Sequence, residues 1–350
     1  VRRYGASHTH GARVDDGWTY RGLETVVLEN EHLRATILAG KGADVASLVH
    51  KPTDTELFWR SPWWVRDPAT YTPTTGDGAW LDHYEGGWQT ILPNFGGAGR
   101  TGGAPLGQHG EANLLPWDAT VLADGPDEAV AVFEVALART PLRVHKQAIV
   151  RAGDPAITVT DTITNVGADD LQMSFGQHLV FGAPLLDDTT TIDIAGGKVL
   201  VAADQQPQTR LQAGGEGKWP HAPGVDGGQV DLRQVPPAHA DTEDIACVTD
   251  LVDGSYRVTN PTRGLTVEVT FDRQNYPFLW LWQVHSGGHG YPWWGRTQCL
   301  GLEPVSSWPH LGVDEAIRNG TEATIAAGSS ITTTTVVRAT PTTDAQETDR

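Results

Sequence analysis

The sequence predicts an all-β chain, a large antiparallel β-sandwich built from many short strands. Three observations carry this expectation. Forty glycines and 22 prolines in 350 residues interrupt long helices and supply tight turns. Valine and threonine recur in short runs, the side chains that suit a pleated surface. Several of those runs alternate apolar and polar residues, as a strand does when one face is buried.

Taken in order, the first twenty residues, with His8 and His10 in SHTHG, show no period and read as an exposed arm crossing a sheet edge. From Leu23 the segments LETVVLEN, LRATILAG and ADVASLVHK read as the start of an antiparallel meander. Residues 60 to 110 are too rich in Gly, Pro and Trp for regular structure over much of their length, and so long a loop in a compact domain is usually functional. Sheet returns with EAVAVFEVAL, LRVHKQAIV and PAITVTDTITNVG. Next, LQMSFGQHLVFG puts His178 and Val180 on the face opposite Phe175, Gln177 and Leu179. A polar excursion to about Thr242 carries Trp219, His221 and Asp231 toward a rim. Strands resume at DIACVTDLV, SYRVTN, LTVEVTFD and FLWLWQVH. VDEAIRNG is long enough for one or two helical turns, and ATIAAGSSITTTTVVRA reads as one or two closing strands. With no short repeat and no low-complexity linker, residues 1–340 are expected to form one domain and 341–350 a frayed tail.

Composition excludes several classes. Acidic residues outnumber basic ones 43 to 25, a net charge of -18 that argues against nucleic acid or an anionic membrane as partner. No apolar run is long enough to span a bilayer, and two cysteines, Cys247 and Cys299, both in apolar runs, read as buried free thiols. A cytoplasmic location is expected. No dinucleotide fingerprint, Walker loop, HExxH or nucleophile elbow is present, so no metal, nucleotide or redox cofactor is called for.

The run QCLGLEPVSSWPH places Glu303 directly before Pro304, at the end of a strand-like segment, where a carboxylate at the rim of a core is a candidate base. Capping a turn or pairing with Arg296 are its structural alternatives. His109, between Gly107 and Gly110, and His178 are its candidate partners. Asn94 and Arg100 offer an amide and a guanidinium for sugar hydroxyls, and thirteen tryptophans, densest at Trp280, Trp282, Trp293 and Trp294, offer flat faces for a pyranose. Lysine and arginine are scarce around these residues, which argues against a highly anionic sugar, although Arg60, Arg66, Arg100 and Arg296 could supply one clamp.

Together GGWQTILPNFG, QHGEANLLPW, SFGQHLVFG and LGLEP resemble the aldose 1-epimerase, or galactose mutarotase-like, superfamily in a divergent branch. The resemblance covers most of the chain. It implies a β-sandwich of the galactose mutarotase-like type whose concave face binds a monosaccharide or sugar derivative. It also implies anomer interconversion by acid–base ring opening, with Glu303 as general base, His178 as general acid and His109 as a second histidine on the substrate. Asp244 and Asp250 stand in the portion of the chain where the superfamily's sugar-binding aspartate falls, and Asp244 is the candidate. The sequence departs from the pattern after His178, where HLVFGAPLL lacks the usual asparagine. Three other functions use the same residues differently: a non-catalytic or regulatory carbohydrate-binding protein; a lyase or glycoside-processing enzyme pairing Glu303 with Glu111, Glu85 or Asp82; and a metal-dependent isomerase using His8, His10, His285 and His289.

Overall fold

A computed structural model of the chain describes residues 10–67 and 76–342. Two antiparallel sheets face each other, one of fourteen strands and one of eight. The centre of the larger sheet runs Trp88–Ile91, Gly176–Phe181, Gln298–Val305, Phe278–His285, Thr242–Thr249, each strand hydrogen-bonded to the next. The smaller sheet contains the three long strands Glu128–Ala136, Leu142–Arg151 and Ala156–Asn165, with Ser330–Pro341 paired against the last of them. Its outer surface carries threonine pairs, Thr160 with Thr334 and Thr162 with Thr332, each 3.0 Å apart across the strands.

Strict alternation sends Leu179, Leu281 and Leu302 inward from the larger sheet to meet Tyr256, Val269 and Val337 of the smaller one. A polar seam crosses this apolar interior. Gln177 donates to Asp161 at 2.9 Å and meets the Tyr276 hydroxyl at 3.2 Å, and that hydroxyl meets Thr333 at 2.9 Å. Tyr256, from the smaller sheet, donates to the Leu302 carbonyl at 2.9 Å.

The structure departs from the sequence reading in four places. Arg13–Tyr20 is a strand on the sheet edge, its alternation hidden by a register shift between Asp15 and Trp18. Residues 60 to 110 contain the helix Gly76–His83, the strand Trp88–Ile91 and a hairpin of Gly99–Thr101 with Ala104–Leu106. LQMSFGQHLVFG breaks into two strands at Ser174 and Phe175. Trp219 is buried in the main core, and Asp231 pairs with Arg233, so neither reaches the site. Val313–Asn319 is the expected short helix, and both cysteines are buried and free. His8 and residues 343–350 of the expected tail lie outside the described residues. No helix among the described residues is long and apolar enough to cross a membrane.

Candidate active site

The same alternation that fills the core builds a site on the opposite, outer face of the larger sheet. Trp280 stands directly across from Glu303, Trp282 from Gly301, and Ile245 from Trp282. Gly176 pairs with Val305 and Val180 with Gly301, which brings His178 level with Glu303 on the adjoining strand. Residues directly opposite share a face, so the histidine, the carboxyl and two indoles converge without any loop.

His178 Nε2 lies 3.4 Å from Glu303 Oε1, and both side chains are only 3% exposed. Among the described residues neither has another charge within ion-pair distance. Burial pushes the Glu303 carboxyl well above the usual carboxylate range and pulls His178 down to about 3. Sequence reasoning expected an imidazolium held by a neighbouring carboxylate. Burial instead favours the neutral acid beside the neutral imidazole, because separated charges are costly in a site this dry. The pair carries the same single proton in either form. Gly301 makes room for it: a Cβ there would stand 2.4 Å from Glu303 Oε1.

Tyr84 meets His178 Nδ1 at 3.2 Å through its hydroxyl, which burial keeps protonated. His109, in the left-handed region at φ 56°, accepts the Gly96 amide proton on Nδ1 at 3.3 Å. Its other nitrogen, Nε2, therefore carries the hydrogen of the neutral ring. Burial, helped by His178 and His310, holds His109 well below the usual histidine range. Its ring packs 4.2 Å from Trp80 and 5.1 Å from His178, centre to centre.

Trp80 is in turn fixed from behind. Its indole donates to Gln89 at 2.9 Å, Gln89 donates to Asp44 at 2.9 Å, and Asp44 pairs with Lys41 at 2.9 Å. Lys41 also stands 2.8 Å from Glu85, and burial pushes Glu85 up to about 8 against the pull of that lysine. Trp80 stacks on Tyr84 at 4.3 Å, the tyrosine standing four residues on, just past the end of the helix.

His178, Glu303, His109 and Trp80 line a cavity of about 360 Å³ whose other walls include Trp282, Trp293 and Glu243. The Trp282 indole reaches Glu243 at 3.4 Å, and burial raises the Glu243 carboxyl. A larger concavity of about 590 Å³ lies on the amino-terminal flank. Its Arg13 is paired with Glu29 and its Arg60 with Glu56, so it holds no acid and base set apart from solvent. Chemistry, not volume, marks the smaller cavity as the candidate.

Of the predicted site residues, Glu303, His178, His109 and Trp282 are brought together there. Four others are not. Asn94 spends both amide protons on the Gly97 and Gly107 carbonyls and accepts the Val313 amide, so it clamps loops and has no donor left. Arg100 donates to the Gly103 carbonyl on the exposed hairpin. Asp244 is one residue out of phase: it faces away from the cavity and pairs with Arg210 at 2.6 Å, while Glu243 takes the place on the cavity face. Trp294 lines a neighbouring cavity and is 65% exposed. Asp250 is not among the cavity residues either.

The alternative partners of Glu303 are engaged elsewhere. Glu111 caps the Ala138 and Arg139 amides at 3.0 and 3.1 Å, Glu85 faces Lys41, and Asp82 lines the neighbouring cavity. Arg296 is on that neighbouring cavity too and does not pair with Glu303. His285 is buried whereas His289 is exposed and paired with Asp241, and no group of three or more potential metal ligands occurs among the described residues. Sequence reasoning missed Tyr84, Trp80 and Glu243. The spacing of Trp80 and Tyr84 was the available signal for the first two, but the surrounding glycines hid the helix.

The chain belongs to the family described as a domain of unknown function (DUF4432), whose profile matches residues 20–338. No protein of curated function matches it significantly in sequence. Among solved structures, it is similar to a putative aldose 1-epimerase from Klebsiella pneumoniae, with a TM-score of 0.72, 15% identity, and 95% of this chain and 84% of that one covered. A protein from Synechocystis gives a TM-score of 0.64 at 19% identity, covering 97% and 100% of the two chains. A galactose mutarotase-like protein from Clostridium acetobutylicum gives 0.63 at 11% identity, covering 95% and 99%. At these identities the likeness is one of fold: the chain has the galactose mutarotase-like β-sandwich, as its sequence led us to expect.

Proposed function

We propose that the cavity interconverts the anomers of an aldose or aldose derivative by acid–base ring opening and closure. One observation carries the proposal: a carboxyl and an imidazole, 3.4 Å apart and both buried, on the floor of an aromatic-walled cavity. Ring opening requires removal of the proton on the anomeric hydroxyl, formation of the C1 carbonyl, cleavage of the bond from C1 to the ring oxygen, and protonation of that oxygen. With the pair neutral, His178 takes the first proton and the Glu303 acid supplies the second, leaving an ion pair. Closure on the other face returns both. If the pair instead begins as carboxylate and imidazolium, Glu303 is the base and His178 the acid, as the sequence suggested. Positioned groups of this kind are each worth roughly 10²- to 10⁴-fold.

The remaining residues fit the same reading. His109 presents Nε2–H and Glu243 a carboxyl to sugar hydroxyls, while Trp282 and Trp293 offer apolar faces to the ring. The test is saturation exchange between anomers by NMR, over a panel of free aldoses and uronic acids with the buffer rate subtracted. Acceleration of one sugar is expected. A sugar that binds without acceleration would overturn the catalytic reading and leave a carbohydrate-binding protein.

A second reading rests on Glu243, which puts a second carboxyl on the same cavity as Glu303 and so meets the minimum requirement of a glycoside-processing enzyme. Release of the aglycone from aryl glycosides, lost in both Glu243→Gln and Glu303→Gln, would favour it over mutarotation.

A further inference from the structure

A second cavity, of about 270 Å³, adjoins the first and shares Leu81, Pro292 and Trp293 with it. Its chemistry is different. Two guanidinium groups from separate loops line it, Arg66 and Arg296, in a chain whose net charge is -18. Arg66 is held in place, its guanidinium 5.2 Å from the centre of the Trp63 ring and one nitrogen donating to the Asp82 carbonyl at 3.0 Å. That arrangement leaves most of its donors unused. Arg296 has no carboxylate within ion-pair distance among the described residues.

Beside them stands Trp294. Its backbone is in the left-handed region at φ 55°, and the residue is 65% exposed with no aromatic neighbour among the described residues. A bulky residue at positive φ is strained, and an exposed indole gains nothing from the core in return. The preceding tryptophan does the opposite: Trp293 stacks on Trp63 at 5.5 Å with 9° between the planes, forming the partition between the two cavities. The Asp82 carboxylate, the one acidic side chain on this cavity among the described residues, is engaged by the Tyr291 hydroxyl at 3.2 Å.

We propose that this second cavity is a subsite for a second, anionic ring of the substrate, with Arg66 and Arg296 binding its oxyanion and Trp294 stacking on its face. The substrate is then an acidic disaccharide whose reducing aldose occupies the first cavity, an assignment that rests on the mutarotation reading. Arginine suits a planar carboxylate because it can donate two parallel hydrogen bonds. The strained, exposed indole supplies the flat surface a pyranose needs.

The experiment compares glucuronosyl-β-1,4-glucose with cellobiose, which differs only in carrying a hydroxymethyl group in place of the carboxylate, and with free glucose. Calorimetric titration reads binding and NMR saturation exchange reads anomer interconversion at the reducing end. The expected result is binding of the acidic disaccharide about tenfold or more tighter than cellobiose, the range of a charge-assisted hydrogen bond. Arg66→Met with Arg296→Met should erase that difference and leave cellobiose unchanged. Trp294→Gly, which suits the left-handed backbone, should weaken both disaccharides and spare glucose. Equal affinity of the two disaccharides for the native protein, or a preference that survives the double variant with an unchanged melting curve, would overturn the subsite. The two proposals fail separately. Arginine-dependent binding without accelerated exchange sustains the subsite and sinks mutarotation. Accelerated exchange with no preference for the acidic sugar does the reverse.

Discussion

The buried carboxyls of Asp44 and Glu85 on one side, and that of Glu303 on the other, are treated by the protein in opposite ways. Asp44 and Glu85 share the Lys41 ammonium, all three side chains wholly inaccessible. Glu303 is nearly as deeply placed and, among the described residues, has only His178 within ion-pair distance, whose imidazole burial holds neutral. The first arrangement neutralises its charge and uses it to hold Gln89 and Trp80. The second leaves the acid uncompensated, which a structural role does not require, at the point where a ligand can reach it. Here the two carboxyls with a counterion belong to the scaffold, and the one on the cavity without a counterion is the one to which we assign proton transfer.

The largest expected effect tests the uncompensated acid. Glu303→Gln keeps the shape and removes the proton, so anomer exchange on an accelerated sugar should fall roughly 10²- to 10⁴-fold, with the melting temperature nearly unchanged at acid pH, where Glu303 is protonated in the folded and unfolded chain alike. Full activity in this variant would end the distinction. The counterpart is Lys41→Met, which strands two carboxyls without a counterion. Loss of about 3–5 kcal/mol in denaturant unfolding is expected. Asp44→Asn and Glu85→Gln added to it should recover part of that loss, whereas a stable single variant would show that the triad is not the scaffold we describe.

A smaller effect comes from Gly301→Ala. Its Cβ, 2.4 Å from Glu303 Oε1, must displace the carboxyl. Misplacement on the order of 1 Å costs up to about 10²-fold, so exchange should slow by about ten- to a hundredfold with KM little altered. The subtlest is the dependence of stability on pH. His178 is depressed in the folded state, so its contribution is lost as pH falls from the unfolded value near 6.5 toward about 3. Glu303 and Glu85 are raised in the folded state, so theirs are present at acid pH and lost as pH rises above the usual carboxylate range, for Glu85 through about 8. Each such proton contributes a slope of at most about 1.4 kcal/mol per pH unit. Glu303→Gln should flatten the alkaline limb by one proton, read from urea unfolding at a series of pH values; an unchanged slope would mean that Glu303 is ionised in the folded protein.

The fold was legible because period-2 alternation survives in the long strands, where one face must be apolar. The same alternation made His178 legible, since its neighbours Gln177 and Leu179 belong to the other face. Asp244 shows where this reasoning fails. Two adjacent acids sit on one strand, and only the pairing partner decides which of them faces the cavity; Trp282 opposite Ile245 gives the place to Glu243. That partner comes from a distant part of the chain and leaves no local mark. Asn94 fails for another reason, since an amide that binds sugar and one that binds loop carbonyls have the same sequence signature. Tyr84 and Trp80 were lost in the glycines flanking a helix of eight residues.

The seam of Asp161, Gln177, Tyr276 and Thr333 has a mechanical consequence. An apolar interface between two sheets is slippery, because its attraction depends on area and hardly on alignment. Hydrogen bonds at 2.9 to 3.2 Å are directional and cannot follow a lateral slide. They act as a key in a slot, locking the shear between the sheets next to the residue that precedes His178. The outer face inherits that alignment, so the spacing of His178 and Glu303 is indexed to the opposite sheet and not only to the strands that carry them.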